Sequence, residues 1–101
     1  MAKQQTKTTR RVRIREDEPP KRFAVIMHND EVTTMDFVVY VLENIFFKSH
    51  DLAEQIMMEV HTKGSAIVGV YDYDTAVSKA LKTMRIASGK NFPLKLTWQE
   101  E

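Results

Sequence analysis

RFAVIMHNDEVTTMDFVVYVL, residues 22–42, changes character twice. The apolar run Phe23 to Met27 stops at His28-Asn29-Asp30-Glu31, and a second apolar run from Met35 has helical rather than alternating spacing. The pattern predicts a strand from Arg22 to Met27, then a polar loop, then a helix from Met35 to about Phe47. Thr33 and Asp36 stand at the spacing of a capping box, in which a hydroxyl accepts a free amide of the first turn and the acid reaches back. A loop pinned at both ends presents Asn29, Asp30 and Glu31 beside the first turn of an apolar helix. Such an arrangement suits a small recognition site.

The rest of the chain is punctuated as regularly. Apolar positions Phe37, Val38, Val39, Val41, Leu42, Ile45 and Phe46 nearly encircle the first helix, which is therefore mostly buried or covers a groove. A second helix is expected from Ser49 or Asp51, where Asp51 with Glu54 repeats the capping pattern, to Gly64, a left-handed cap. Its apolar face is Leu52, Ile56, Met57 and Val60. Ser65 to Tyr71 is rich in β-branched residues and predicts a second strand, with Gly69 marking a bulge or a close approach. A third helix follows from about Asp74 to Ser88, closed by Gly89, with Ala76, Val77, Ala80, Leu81 and Met84 as its buried stripe. Pro93 introduces a last alternating strand, Leu94 to Trp98. The order β-α-α-β-α-β predicts an α+β two-layer sandwich, a three-stranded antiparallel sheet with three helices covering one face.

A chain of 101 residues has room for one core. Its net charge of +1 hides a division: residues 1–15 carry six basic side chains and no acid, and the remainder carries a net −5. So polar a segment cannot offset its ordering entropy, so residues 1–19 are expected to be a disordered basic N-terminal extension and residues 20–101 the domain, with Pro19-Pro20 as the boundary. Without cysteine there is neither a disulfide framework nor a thiolate nucleophile or metal ligand. No apolar stretch has the length of a membrane span and the N-terminus lacks a signal-peptide core, so a cytoplasmic monomer without membrane contact is expected.

Which residues carry chemistry? His28, His50 and His61 have no spacing that places two on one helical face, and no serine sits in a nucleophile elbow, so neither a metal, a cofactor nor catalysis is expected. The folded part is acidic and its aromatics form no stacking platform, which argues against a nucleic-acid partner. A ligand pocket remains: Asn29, Asp30 and His61 offer acceptors, and Met35, Val38, Met57 and Val60 offer apolar surface from two helices. On spacing alone an ordinary core is the better account of these apolar residues.

The string Asn29-Asp30-Glu31-Val32-Thr33-Thr34-Met35-Asp36-Phe37-Val38, followed by Met57-Met58-Glu59-Val60-His61, Gly64, Ala66-Ile67-Val68-Gly69-Val70 and Pro93-Leu94, resembles the ClpS family of adaptor proteins from about Arg22 to Trp98. The resemblance implies a non-enzymatic adaptor that binds proteins bearing an N-terminal Leu, Phe, Tyr or Trp and delivers them to a ClpA- or ClpC-type AAA+ unfoldase. It implies that Asn29, Asp30 and His61 receive the α-amino group, with Glu31 and Thr33 standing behind them. The first side chain would enter a pocket of Met35, Val38, Met57, Val60 and Leu94, with Met35 excluding β-branched residues. Asp74 and Lys79 would meet the unfoldase N-domain, and the extension would be engaged during transfer. Two positions depart from the family pattern: Glu31 where many relatives have Asp, and Thr34 in place of a frequent proline. The rival reading is an interaction domain that resembles the ribosomal stalk C-terminal domain, which the Asn29-Asp30 and Val60-His61 pairs oppose.

Overall fold

The computed structural model describes residues 19–101, so the extension expected over residues 1–19 lies, but for Pro19, outside the described residues. The elements run β1 (Phe23–His28), α1 (Met35–Asn44), α2 (His50–Lys63), β2 (Ser65–Tyr71), α3 (Tyr73–Gly89) and β3 (Lys95–Glu100), the predicted β-α-α-β-α-β order. Strand β1 is central and antiparallel to both neighbours, giving the sheet order β2-β1-β3. Val25, Met27, Ala66, Val68 and Leu96 are buried and join Val41 and Leu42 of α1, Ala53, Ile56 and Val60 of α2, and Ala76, Ala80 and Ala87 of α3 in one core. The other face carries Ile26, Ile67, Thr97 and His28, whose Nε2 lies 2.9 Å from Thr97 Oγ1, and Ile67 is exposed. The chain is thus a two-layer α+β sandwich, as its apolar spacing predicts.

Gly69 serves both roles expected of it. The β1–β2 register shifts where Val25 pairs with Gly69 and Ile26 with Ile67, so the bulge lies in β2 and Val68 is its extra residue, next to Gly69. A Cβ on Gly69 would lie 2.6 Å from Cε2 and Cζ of Tyr71, whose ring crosses the glycine. No larger residue leaves room for that ring.

The helix ends show where local spacing misleads. Thr34, not Thr33, caps α1: its Oγ1 accepts the Phe37 N–H at 3.2 Å, and its own backbone is extended. Helix α1 stops at Asn44 rather than Phe47, because Phe47 takes a left-handed conformation (φ 54°) and the Lys48 N–H turns back to the Leu42 carbonyl. Ser49 caps α2 through the Leu52 amide, and Gly64 (φ 91°) closes it as expected. Asp72, not Asp74, opens α3 by accepting the Thr75 N–H. Asn91 (φ 63°), rather than Gly89, is the left-handed residue at its end: Asn91 N–H reaches Ser88 O and Phe92 N–H reaches Ala87 O, the paired bonds of a Schellman motif. That turn sets Phe92 against Phe37, ring centroids 5.1 Å apart.

Two expected core positions lie outside: Leu52 and Leu81 are exposed, Ala53 faces inward in place of Leu52, and Ala80 is buried as expected. Thr83 is the polar residue at the heart of α3; its hydroxyl is satisfied by the Lys79 carbonyl at 2.8 Å. At the α1–α2 junction His50 stands between two acids, Nδ1 2.7 Å from Glu43 Oε2 and Nε2 3.4 Å from Glu54 Oε2.

Candidate functional site

The loop after β1 is held by its own side chains. Asp30 Oδ1 accepts the backbone N–H of Val32 at 2.8 Å and of Thr33 at 2.7 Å, and Oδ2 accepts the Thr33 hydroxyl at 2.7 Å. This is an Asx-type turn, in which a short carboxylate replaces the backbone acceptor that a loop lacks. Partial burial pushes the Asp30 carboxyl up, but the bonds from Thr33 and Val32 outweigh it and hold the group below its ordinary value. Asp30 is therefore a carboxylate at neutral pH. One residue earlier, the Asn29 N–H donates to the Gly64 carbonyl at 2.9 Å, tying the loop to the C-terminal cap of α2.

That tie brings two distant parts of the chain around one concavity of about 390 Å³. The loop contributes Asn29, Asp30, Glu31 and Thr33 to its lining. Helix α1 contributes Met35 and Val38, and α2 contributes Met57, Val60 and His61. Val38 and Val60 are buried at its floor, Met57 is half-buried, and Met35 and His61 are exposed at its mouth. Polar acceptors thus stand on one side and deformable apolar surface on the other. Both ion pairs among the described residues involve His50, so no side chain of this region neutralises Asp30.

Nine of the residues anticipated for the pocket and its supports meet here, and Leu94 does not. Leu94 is 5% exposed within the core cluster and is absent from the lining. What spacing missed is the inward turn of Thr33: an Asp three residues before a Thr is the available signal, and the competing Thr33–Asp36 pair obscures it.

Asp74 and Lys79 lie elsewhere, on α3. Asp74 is exposed in the first turn. Lys79 Nζ donates to the Ile45 carbonyl at 2.6 Å and sits 4.6 Å from the Phe47 ring centroid, 5.6 Å from Tyr71 and 5.9 Å from Phe46. Burial first, then Lys82 and Lys48, hold its ammonium below its ordinary value.

The family model described as ATP-dependent Clp protease adaptor protein ClpS matches residues 18–97. A ClpS adapter protein from Campylobacter jejuni strain RM1221 is 48% identical over 82 residues, 81% of this chain and 85% of the relative. One from Acetivibrio thermocellus is 45% identical over 82 residues, covering 81% and 83% respectively. Among solved structures, Agrobacterium tumefaciens ClpS2 bound to L-phenylalaninamide superposes with a TM-score of 0.79 at 36% identity, over 82% of this chain and all of that one.

Proposed function

The chain belongs to the ClpS family of Clp protease adaptors, whose partners are a Clp ATPase and its substrates, and from that premise we propose that its cavity receives a free N-terminal Leu, Phe, Tyr or Trp. The carrying observation is the meeting of Asn29, the ionised Asp30 and His61 with the apolar side chains of Met35, Val38, Met57 and Val60 around one opening. An α-amino group has a pKa of about 7.7–8.0 and is largely an ammonium at neutral pH, with three donors to place. The Asn29 side-chain oxygen, Asp30 and an imidazole nitrogen of His61 supply acceptors. An internal peptide nitrogen brings one donor and no charge, so it would leave acceptors unpaired at a cost of about 1–3 kcal/mol each.

The side chain beyond the ammonium enters between Val38, Val60 and the two methionines. Burying a Leu or Phe side chain is worth about 1.5–3 kcal/mol. Val and Ile are apolar too, so their exclusion needs shape, and Met35 at the mouth provides it. L-phenylalaninamide, bound by the Agrobacterium relative, is chemically a free α-amine with a benzyl side chain, the class of ligand proposed here.

Delivery follows the same family logic. A ClpA- or ClpC-type unfoldase would meet the α3 face bearing Asp74, with Lys79 reaching it from its aromatic seat, and residues 1–19 would serve as the handle. Removing them should preserve peptide binding and impair delivery. The decisive experiment is fluorescence anisotropy with a labelled peptide beginning with Leu or Phe, the same peptide N-acetylated, and one beginning with Val. Binding of the free peptide that acetylation abolishes is expected; equal binding of all three would sink the proposal.

A further inference from the structure

Asp30 has more partners than its place in an amine receptor requires. A carboxylate offers about four lone-pair positions. Both on Oδ1 are taken by the Val32 and Thr33 amides, and one on Oδ2 is taken by the Thr33 hydroxyl. A single position on Oδ2 is left for anything in the cavity. We propose that Thr33 is a positioning residue for amine recognition: acting through Asp30, its hydroxyl fixes the carboxylate so that Oδ1 closes the loop and Oδ2 serves the ligand. The assignment rests on the reading of the cavity as a receptor for free N-termini.

The argument has two parts. The two amides anchor only Oδ1, about which the carboxylate could still swing; the Thr33 hydroxyl, 2.7 Å from Oδ2, removes that freedom. A fixed acceptor costs less ordering when the ligand arrives, which is how preorganisation improves affinity. Second, the only proton of the Thr33 hydroxyl is spent on Asp30, so toward the cavity that it lines Thr33 shows lone pairs and a methyl group but no donor. An acetyl oxygen on a blocked N-terminus meets acceptors there. The ammonium is the complementary group.

The titratable groups that share the cavity with Asp30 are Glu31 from the same loop and His61 from α2. Replacing the hydroxyl leaves both in place. It removes a bond that the ionised Asp30 accepts more strongly than the neutral acid would, so the carboxyl becomes easier to protonate. Binding should then fail at a higher pH on the acid side. The alkaline limb follows the peptide's own amine and should not move.

The test uses the full chain with Thr33→Val, Thr33→Ala and Thr33→Ser, and a Leu- or Phe-initiated peptide. Thr33→Val and Thr33→Ala are expected to weaken binding roughly tenfold, the scale of one charge-assisted hydrogen bond, and to raise the acid limb of the pH profile. Thr33→Ser should restore both. Carbon-13 NMR of the Asp30 carboxyl in the peptide-free protein should show its pKa raised in the first two variants alone. Unchanged affinity and acid limb in Thr33→Val, or equal weakening in Thr33→Ser, would overturn the positioning role while the receptor reading stands. A wild-type protein indifferent to acetylation removes both, and the two failures are thereby distinguished.

Discussion

The loop at Asn29–Thr33 and the cluster around Lys79 are built from the same ingredients, a charged group set against an apolar wall, and they resolve them in opposite ways. At Lys79 the chain supplies both partners: an ammonium, the Ile45 carbonyl at the end of α1 and the rings of Phe47, Tyr71 and Phe46. At Asp30 it supplies acceptors and walls and turns the carboxylate's bonds inward upon its own loop, with no cation of this region to meet it. A filled site of this kind holds the fold together; one of the same composition that stays concave can receive a ligand.

Four substitutions break or sharpen the contrast. Asp30→Ala removes charge and turn together, and should weaken binding of a Leu-initiated peptide roughly hundredfold by anisotropy. A loss below threefold would mean that the carboxylate only builds the loop. Met35→Ala opens the mouth, so the preference for Leu over Val should shrink roughly tenfold in competition binding, the scale of one or two methylene contacts. Unaltered preference assigns the exclusion of β-branched residues to another wall.

Lys79→Met keeps the apolar length and deletes the ammonium, and should cost about 1 kcal/mol in urea unfolding while peptide affinity stays within about twofold. Equal stability would show that the rings pack without the cation. The smallest effect is expected at His50, where the hydrogen bond it donates to the Glu43 carboxylate, then the charge of Glu54, raises the imidazole pKa above its ordinary 6.5. Its protonated form is the one favoured by folding, so its contribution is complete below pH 6.5 and disappears as pH rises through the folded value. His50→Gln should flatten that part of the stability profile, measured by thermal unfolding between pH 5 and about 8. Identical profiles would leave His50 an exposed residue without consequence for folding.

Much of this was legible from residues 22–42 because a strand and an apolar helix have different periods, and the switch between them is sharp. The element order, Gly64 as a cap and the tight approach at Gly69 follow from residue types with few conformational options. The errors have one origin. Where a side chain could serve two nearby backbone groups, spacing alone could not choose: Thr33 against Thr34 at the cap of α1, Asp72 against Asp74 at α3, and Phe47 or Asn91 in left-handed turns where no glycine stands. Each choice is made by local hydrogen bonds that several spacings would allow: Asp30 takes the Thr33 hydroxyl and leaves Thr34 to cap Phe37, and Asp72 takes the Thr75 amide. At the cavity, the acceptor string and its apolar partners were readable, whereas an apolar residue such as Leu94 reads the same in sequence whether it lines a pocket or fills the core.

The bond from the Asn29 N–H to the Gly64 carbonyl follows directly on the last paired position of β1 and β2, His28 opposite Ser65. In effect it is one more rung of the ladder, so the sheet acts as a ruler for the cavity. Counting from the bulge at Val68–Gly69, strand pairing alone decides which residue arrives beside the end of α2. A slip by a single residue would bring His28 or Asp30 to the place of Asn29 and turn the side chains to the opposite face. Val68, the extra residue of the bulge that pins this count, lies within the hydrophobic core. Substitutions there could alter what the mouth of the cavity recognises without touching any residue that lines it.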